Sequence, residues 1–203
     1  MISIGAEAAQ KGTSPMLDEY PKEIITKDGT EVLLRCLAPQ DEEQLIAFFG
    51  RIPPEERWFR REDVSDSAVI RGWMEHLNDD RILPMVAVNE EDGAIIAAMS
   101  LHRRAFGCLS HVGHIRIIVE PAFRAQRLGT WMLLDLVKRS MELGVEKLVA
   151  EFVAGVEDAA LRGVRKLDFF KAAVLEDYVK DQAGGYHDLI IMVKTVHREW
   201  SDF

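Results

Sequence analysis

The 203-residue chain has few cysteines, no long apolar run and no excess of basic residues. Its two cysteines, Cys36 and Cys108, belong to no CxxC pair, which argues against a disulfide framework or a structural zinc site. No run of about 18 apolar residues occurs, so we expect no membrane-spanning helix. The first residues lack the basic and apolar segments of a secretory signal, so we expect a cytoplasmic protein.

The charge balance argues against a nucleic-acid partner. The formal net charge is -9, whereas phosphate backbones require a basic face. An acidic chain is compatible with a cationic or lysine-bearing substrate, and solubility alone explains the charge as well. The hydrophobic content of 48% suits a compact domain with its own core.

The pattern along the chain predicts a flexible N-terminal arm over residues 1–22 and one domain over residues 23–203. Predicted strands cover 30–37, 83–90, 94–105, 111–120, 146–154, 169–179 and 187–196. Predicted helices cover 39–52, 65–77, 125–143 and 157–167. A strand–helix–strand unit requires a parallel pair and hairpins give antiparallel ones, which predicts an α+β fold with a mixed sheet of about six or seven strands and about four helices.

The strongest functional signal is the turn that follows the strand 111–120. Pro121 ends the strand, and an arginine-rich turn with a single glycine leads into an amphipathic helix. A helix start has unpaired N–H groups and partial positive charge, so it binds anions, and here Arg124 and Arg127 flank it. This indicates a phosphate site, although an ordinary strand-to-helix turn with solvated arginines explains the pattern equally well.

The segment VEPAFRAQRLGTWML resembles motif A of the GNAT superfamily of acetyl-CoA-dependent N-acetyltransferases. In that motif a strand and a short link lead to Gln/Arg-x-x-Gly-x-Gly/Ala at a helix start, which here is RAQRLG, residues 124–129. The order of the predicted elements over residues 23–196 is also the GNAT order. The stretches DGTEVLLRCLAPQDEEQL and GGYHDLIIMVKTV are most like bacterial protein-lysine acetyltransferase domains.

The resemblance implies a GNAT-like, mostly antiparallel sheet whose central parallel pair splays apart to form an acyl slot. It implies acetyl transfer from acetyl-CoA to a primary amine of a protein lysine or a small molecule. Backbone groups of the strand would pair with the pantetheine arm, amides of the turn would hold the pyrophosphate, and Val119 would donate to the thioester oxygen. The positions that match the family's cofactor contacts are Ile117, Val119, Arg124, Gln126, Arg127, Leu128, Gly129 and Thr130.

The resemblance also implies a general base on the strand 111–120. Many family members have a glutamate where this chain has His114, and a neutral imidazole can accept the same proton. Glu120 and Glu151 are alternative bases, and a purely structural role for His114 stays open. We expect no metal, because no suitably spaced acid or thiol accompanies the histidines, and no membrane or nucleic-acid partner; the sequence leaves a homodimer open.

The family pattern is interrupted at several positions. Arg127 replaces a glycine, Glu157 an asparagine, Asp168 a helix-ending glycine and Val164 the tyrosine that often protonates the departing thiolate. The acid Glu157 could repel a phosphate, Val164 has no proton to give, and Arg127 either turns away from the cofactor or fills its place. These departures leave a second hypothesis, a catalytically inactive acyl-CoA-binding regulatory or interaction module.

The stretch ERWFRRED, residues 56–63, combines two aromatic residues with charges of both signs. In the family this region borders the acceptor groove. A packed aromatic pair with solvated charges explains it equally well.

Overall fold

The computed structural model describes residues 20–77 and 79–196. The strands are β1 Lys22–Ile25, β2 Glu31–Cys36, β3 Ile82–Asn89, β4 Ile95–Arg103, β5 Val112–Val119, β6 Lys147–Val153, β7 Phe170–Lys180 and β8 Tyr186–Thr195. The helices are α1 Glu42–Arg51, α2 Pro54–Arg57, α3 Ser67–Glu75, α4 Leu128–Glu142 and α5 Asp158–Arg165. Single 3-10 turns lie at Pro39–Asp41 and Pro121–Phe123. None of these helices is long and apolar enough to cross a membrane.

The strands form one sheet in the order β1-β2-β3-β4-β5-β6-β8-β7. The predicted parallel pair is confirmed, because β5 and β6 are adjacent and parallel, with α4 as the crossover between them. The other described pairs are antiparallel. The predicted α+β architecture with a mostly antiparallel sheet is therefore confirmed.

The sheet has eight strands, whereas the sequence predicts six or seven. The additional strand is β1, which pairs with β2 and spans only four residues, too few for an alternating pattern to show. The additional helix is α2, a single turn that begins at Pro54 between two predicted helices. Both elements are too short to be recognised from periodicity.

The last residues of the predicted arm are packed on α4. The Tyr20 hydroxyl donates to Asp135, and Lys22 Nζ forms an ion pair with Asp135 at 2.6 Å. Arg139, which is 1% exposed, donates to the Tyr20 hydroxyl at 3.0 Å and stacks over its ring at 4.8 Å. The packed domain therefore includes Tyr20, and residues 1–19 lie outside the described part of the chain.

The two faces of the sheet are covered by different helices. One buried cluster joins α4 to Leu101 and Ile115, and the other joins α1 and α3 to Val86 and Ile95. Because side chains alternate between the faces of a strand, His114 lies on the face of α1 and α3, opposite to Ile115. Ile118, which lies on the same face of β5, packs into the α1–α3 cluster.

Candidate active site

The strands β5 and β6 separate directly after His114. Their pairing ends at His114 and Val149, after which β6 continues against β8 and β5 continues against β4. From Ile115 to Val119, the edge of β5 that faces β6 therefore has no strand partner within the described residues. An open strand edge presents free N–H and C=O groups to any extended ligand.

Ile117 and Val119 direct their main-chain groups to this open edge. The Glu120 amide donates to the Ile96 carbonyl of β4 at 2.9 Å. Successive residues of an antiparallel strand point their main-chain groups to opposite sides, so the amides of Ile117 and Val119 point away from β4. Their orientation agrees with the main-chain pairing that the resemblance implies.

The turn before α4 contains amides without a partner. Within the described residues, the amides of residues 126–129 donate no hydrogen bond. The amides of Thr130 and Trp131 donate to the Arg127 carbonyl at 3.0 and 3.1 Å and close the first turn of α4. The sequence predicts the amides of residues 126–130 as anion donors. Those of residues 126–129 are free to bind an anion, whereas the Thr130 amide donates within the helix.

Two residues of this turn adopt the left-handed backbone conformation. They are Ala125 with φ 60° and Arg127 with φ 67°, a conformation that costs a non-glycine residue about 1–2 kcal/mol. The Arg127 side chain is exposed and has no hydrogen bond or ion pair in the part of the chain that is described. The sequence identifies Arg127 at a glycine position, but it gives no signal for Ala125.

The Arg124 side chain is engaged within the protein. Its guanidinium donates to both Glu56 carboxylate oxygens at 2.8 and 2.6 Å, and its Nε donates to the Val119 carbonyl at 2.9 Å. Arg124 thereby joins α2 to the open edge of β5. A direct phosphate contact by Arg124 would require this bidentate pair to open.

Residues 56–61, which we name the strap, cross the gap between β5 and β6. Five side-chain contacts join it to other parts of the described chain. These contacts are Glu56 with Arg124, Trp58 with Lys180, Phe59 with His187, Arg60 with Glu157 and Arg61 with Glu151. The strap therefore borders the splay on the face that carries His114, where Glu56, Arg60 and Arg61 form ion pairs.

The positions that depart from the family pattern have local explanations. Glu157 accepts from Arg60 at 2.8 Å and from the Val153 amide at 3.0 Å, so its negative charge is compensated. Val164 is 8% exposed in the core and supplies packing. Asp168 has φ 61°, the left-handed conformation expected where a helix-ending glycine is replaced.

The three predicted bases differ in their partners. Glu120 accepts from Arg51 at 3.0 Å, and Glu151 accepts from Arg61 at 2.8 Å. The His114 side chain has no hydrogen bond or ion pair within residues 20–77 and 79–196. Both carboxylates are engaged in ion pairs, whereas the imidazole of His114 is not.

The surroundings of His114 keep its imidazole neutral. Partial burial is the main cause that lowers its pKa; nearby Glu151 raises the pKa, and Arg61 and Arg116 lower it. At neutral pH the imidazole is therefore in the form that accepts a proton. Its position at the separation of β5 and β6 places this acceptor beside the open strand edge.

His102 lies directly opposite His114 on β4 and bonds to Ser100, with Nε2 and Oγ at 2.8 Å. Burial lowers the pKa of His102 from 6.5 to about 4, helped by Arg116 and Arg61. Two adjacent imidazoles are thus held neutral on one face of the sheet.

We expect His102 to make the fold less stable as pH falls from 6.5 toward 4. In this window the unfolded chain binds a proton that the folded chain, with a pKa of about 4, does not bind, so acidification favours unfolding. Allowing for partial exposure, the loss between pH 7 and pH 5 is on the order of 1 kcal/mol. Urea unfolding at both values should show a smaller loss for His102→Gln than for wild type, and equal losses would contradict the assignment.

A sequence model of the acetyltransferase (GNAT) family matches residues 35–169, more than half of the chain. The chain belongs to the GNAT acetyltransferase family. The resemblance drawn from the turn and the order of elements is thereby confirmed. A search of curated proteins found no match.

Solved GNAT structures share the fold. An acetyltransferase from Streptococcus pneumoniae superposes with a TM-score of 0.71 at 18% identity, covering 81% of this chain and 99% of that one. A ribosomal-protein-alanine N-acetyltransferase from Brucella melitensis gives 0.68 at 23% identity, covering 80% and 99%. The acetyltransferase YncA from Salmonella typhimurium, solved with its cofactor acetyl-CoA, gives 0.67 at 20% identity, covering 83% and 96%. Identities this low show the fold alone.

Acetyl-CoA is the acyl donor of GNAT enzymes. The residues present fit such a cofactor, because an open strand edge leads to a turn with free amides. The negative charge of Glu157, which would repel the phosphates of the cofactor, is compensated by its ion pair with Arg60.

Proposed function

We propose that this protein transfers an acetyl group from acetyl-CoA to a primary amine, of a small molecule or of a protein lysine. The observation that carries the proposal is the separation of β5 and β6 at His114, which combines a free imidazole with an open main-chain edge. Acetyl-CoA, when bound, supplies an acetyl group activated as a thioester.

The main-chain groups of the site hold the cofactor in this proposal. Ile117 would pair with the pantetheine arm along the open edge, whereas the Val119 carbonyl is engaged by Arg124, and the free amides of residues 126–129 would hold the pyrophosphate. The Val119 amide, at the end of the open edge, would donate to the thioester oxygen. Donors fixed by the backbone need no rearrangement as charge develops on that oxygen.

The proton of the acceptor amine goes to His114. A primary aliphatic amine is mostly protonated at neutral pH, with a pKa of about 10, and must lose a proton before it can attack. The neutral imidazole of His114 accepts that proton, and the strap confines the amine on the same face. Val164 has no proton to give, so α5 contributes packing and no acid.

An assay of free coenzyme A release over a panel of primary amines tests the proposal. We expect release that depends on the amine and yields the acetylated product. Coenzyme A binding without amine-dependent release would instead support the non-catalytic acyl-CoA-binding module, which Arg127 and Val164 favour.

We expect Arg127→Gly to weaken coenzyme A binding about tenfold, because its exposed guanidinium is free to contact a phosphate oxygen. The same change should stabilise the fold by up to about 1 kcal/mol, since glycine adopts φ 67° without strain. Calorimetric titration at two salt concentrations and urea unfolding measure the two effects.

Arg127→Gln is the matched control for this prediction, because it removes the charge and keeps the backbone strain. It should weaken binding as Arg127→Gly does and leave stability unchanged. Tighter binding of coenzyme A by the glycine variant would show that Arg127 obstructs the pyrophosphate and would argue for the non-catalytic module.

A further inference from the structure

Arginines gather around His114 although the chain as a whole has a net charge of -9. Arg61, Arg104 and Arg116 all lie near enough to lower the pKa of His114. Arg61 is paired with Glu151, but the side chains of Arg104 and Arg116 have no hydrogen bond or ion pair among the described residues. The surroundings of the proposed base thus carry an excess of positive charge that the protein itself leaves uncompensated.

Arg116 is the arginine best placed to meet an acceptor. It follows His114 by two positions on β5, and the two residues face His102 and Ser100 of β4 in register, so they share a face. Two residues along a strand span about 7 Å. Arg116 also lies beyond the last residue that pairs with β6, beside the gap that the acceptor must approach.

The acids near Arg116 are engaged elsewhere. Partial desolvation, helped by Arg61, lowers the pKa of Arg116, and the nearby carboxylates of Glu151 and Glu62 act in the opposite direction. Glu151 accepts from Arg61, and Glu62 accepts from the Trp73 indole. A guanidinium without a carboxylate partner is a ready binding group for an anion, which it holds through two parallel N–H donors.

We propose that the acceptor carries a carboxylate about 7 Å from its reacting amine, and that Arg116 binds this carboxylate while His114 faces the amine. The acceptor class is a small ω-amino carboxylate. This inference rests on the proposed acetyl transfer, and it names the substrate of the same site. The acidic composition is compatible with a cationic acceptor, and the inference adds a carboxylate at the far end of that acceptor.

The test compares ω-amino acids with their ω-amino amides, which share the amine and differ in the charge of the far end. The pairs are 4-aminobutyrate, 6-aminohexanoate and 8-aminooctanoate, each with its amide. We expect kcat/KM to favour the carboxylate at least about tenfold, with the largest preference for 6-aminohexanoate, whose amine and carboxylate are about 7 Å apart when extended.

Two variants distinguish a direct contact from general electrostatic attraction. Arg116→Gln should remove the preference for the carboxylate, whereas Arg104→Gln, which removes one charge near His114 from outside β5, should retain it. Equal losses in the two variants would overturn the assignment to Arg116. Both substitutions are at exposed side chains, and thermal unfolding checks that the variants fold.

Failure of this inference is distinguishable from failure of the proposed function. Equal kcat/KM values for acid and amide overturn the inference and leave acetyl transfer intact. If no amine is acetylated, the proposed function fails, and calorimetric binding of 6-aminohexanoate to the protein with coenzyme A then decides the role of Arg116. If 6-aminohexanoate binds more tightly than its amide, and Arg116→Gln removes the difference, the result supports a carboxylate site at Arg116. If there is no such difference, the proposed carboxylate site is overturned.

Discussion

His114→Ala is expected to lower kcat/KM for acetyl transfer by about 10²-fold or more, as loss of a general base does. The imidazole is the free basic group among the predicted bases, since Glu120 is paired with Arg51 and Glu151 with Arg61. Coenzyme A affinity should stay unchanged, because the proposed function assigns cofactor binding to main-chain groups of β5 and of the following turn and not to His114. Steady-state kinetics and calorimetric titration measure the two quantities.

The pH profile makes this test specific for a proton acceptor. The pKa of His114 lies below 6.5, and its neutral form, which predominates above that pKa, is the active one. The kcat/KM of the wild type should therefore rise with pH through an acid limb below pH 6.5, and that limb should be absent in His114→Ala. An unchanged limb in the variant would transfer the role to Glu120, Glu151 or water.

Leu136→Ala is expected to lower the free energy of unfolding by about 3 kcal/mol, because it deletes buried methylene groups and leaves a cavity. Leu136 is 0% exposed on the face of α4 that packs against the sheet. Urea unfolding of wild type and variant measures the loss.

Leu134→Ala is the matched control on the same helix. Leu134 is 43% exposed, so the same chemical change should alter stability by less than about 0.5 kcal/mol. Because both substitutions have the same effect on helix propensity, the difference between them isolates burial. Equal effects at the two positions would contradict the packing of α4 described above.

Elements with a long regular pattern were predictable from the sequence. The helix predicted over 125–143 is α4, and the strands predicted over 111–120 and 146–154 are β5 and β6. Periodicity and the crossover rule are local properties, so they identify such elements without tertiary information. The elements that the prediction lacked, β1 and α2, each span four residues, which is too short for a periodic pattern to show.

The charged residues of the site show the limit of this reasoning. The sequence predicts that Arg124 contacts the cofactor and that the negative charge of Glu157 disfavours phosphate binding. In the structure, Arg124 pairs with Glu56 across 68 positions, and Glu157 pairs with Arg60 across 97 positions. No local pattern encodes such pairs, because they depend on where the strap crosses the sheet.

The sequence by itself determined the family, the parallel pair and the turn that precedes α4, because each follows from residue spacing within a short segment. The tertiary structure decided which of the candidate groups are free. Pairing and burial fix the charge and availability of a side chain, and both depend on neighbours from distant segments. This is why His114 and Arg116 emerge with unpaired side chains beside the gap, while Glu120, Glu151 and Arg124 are engaged within the protein.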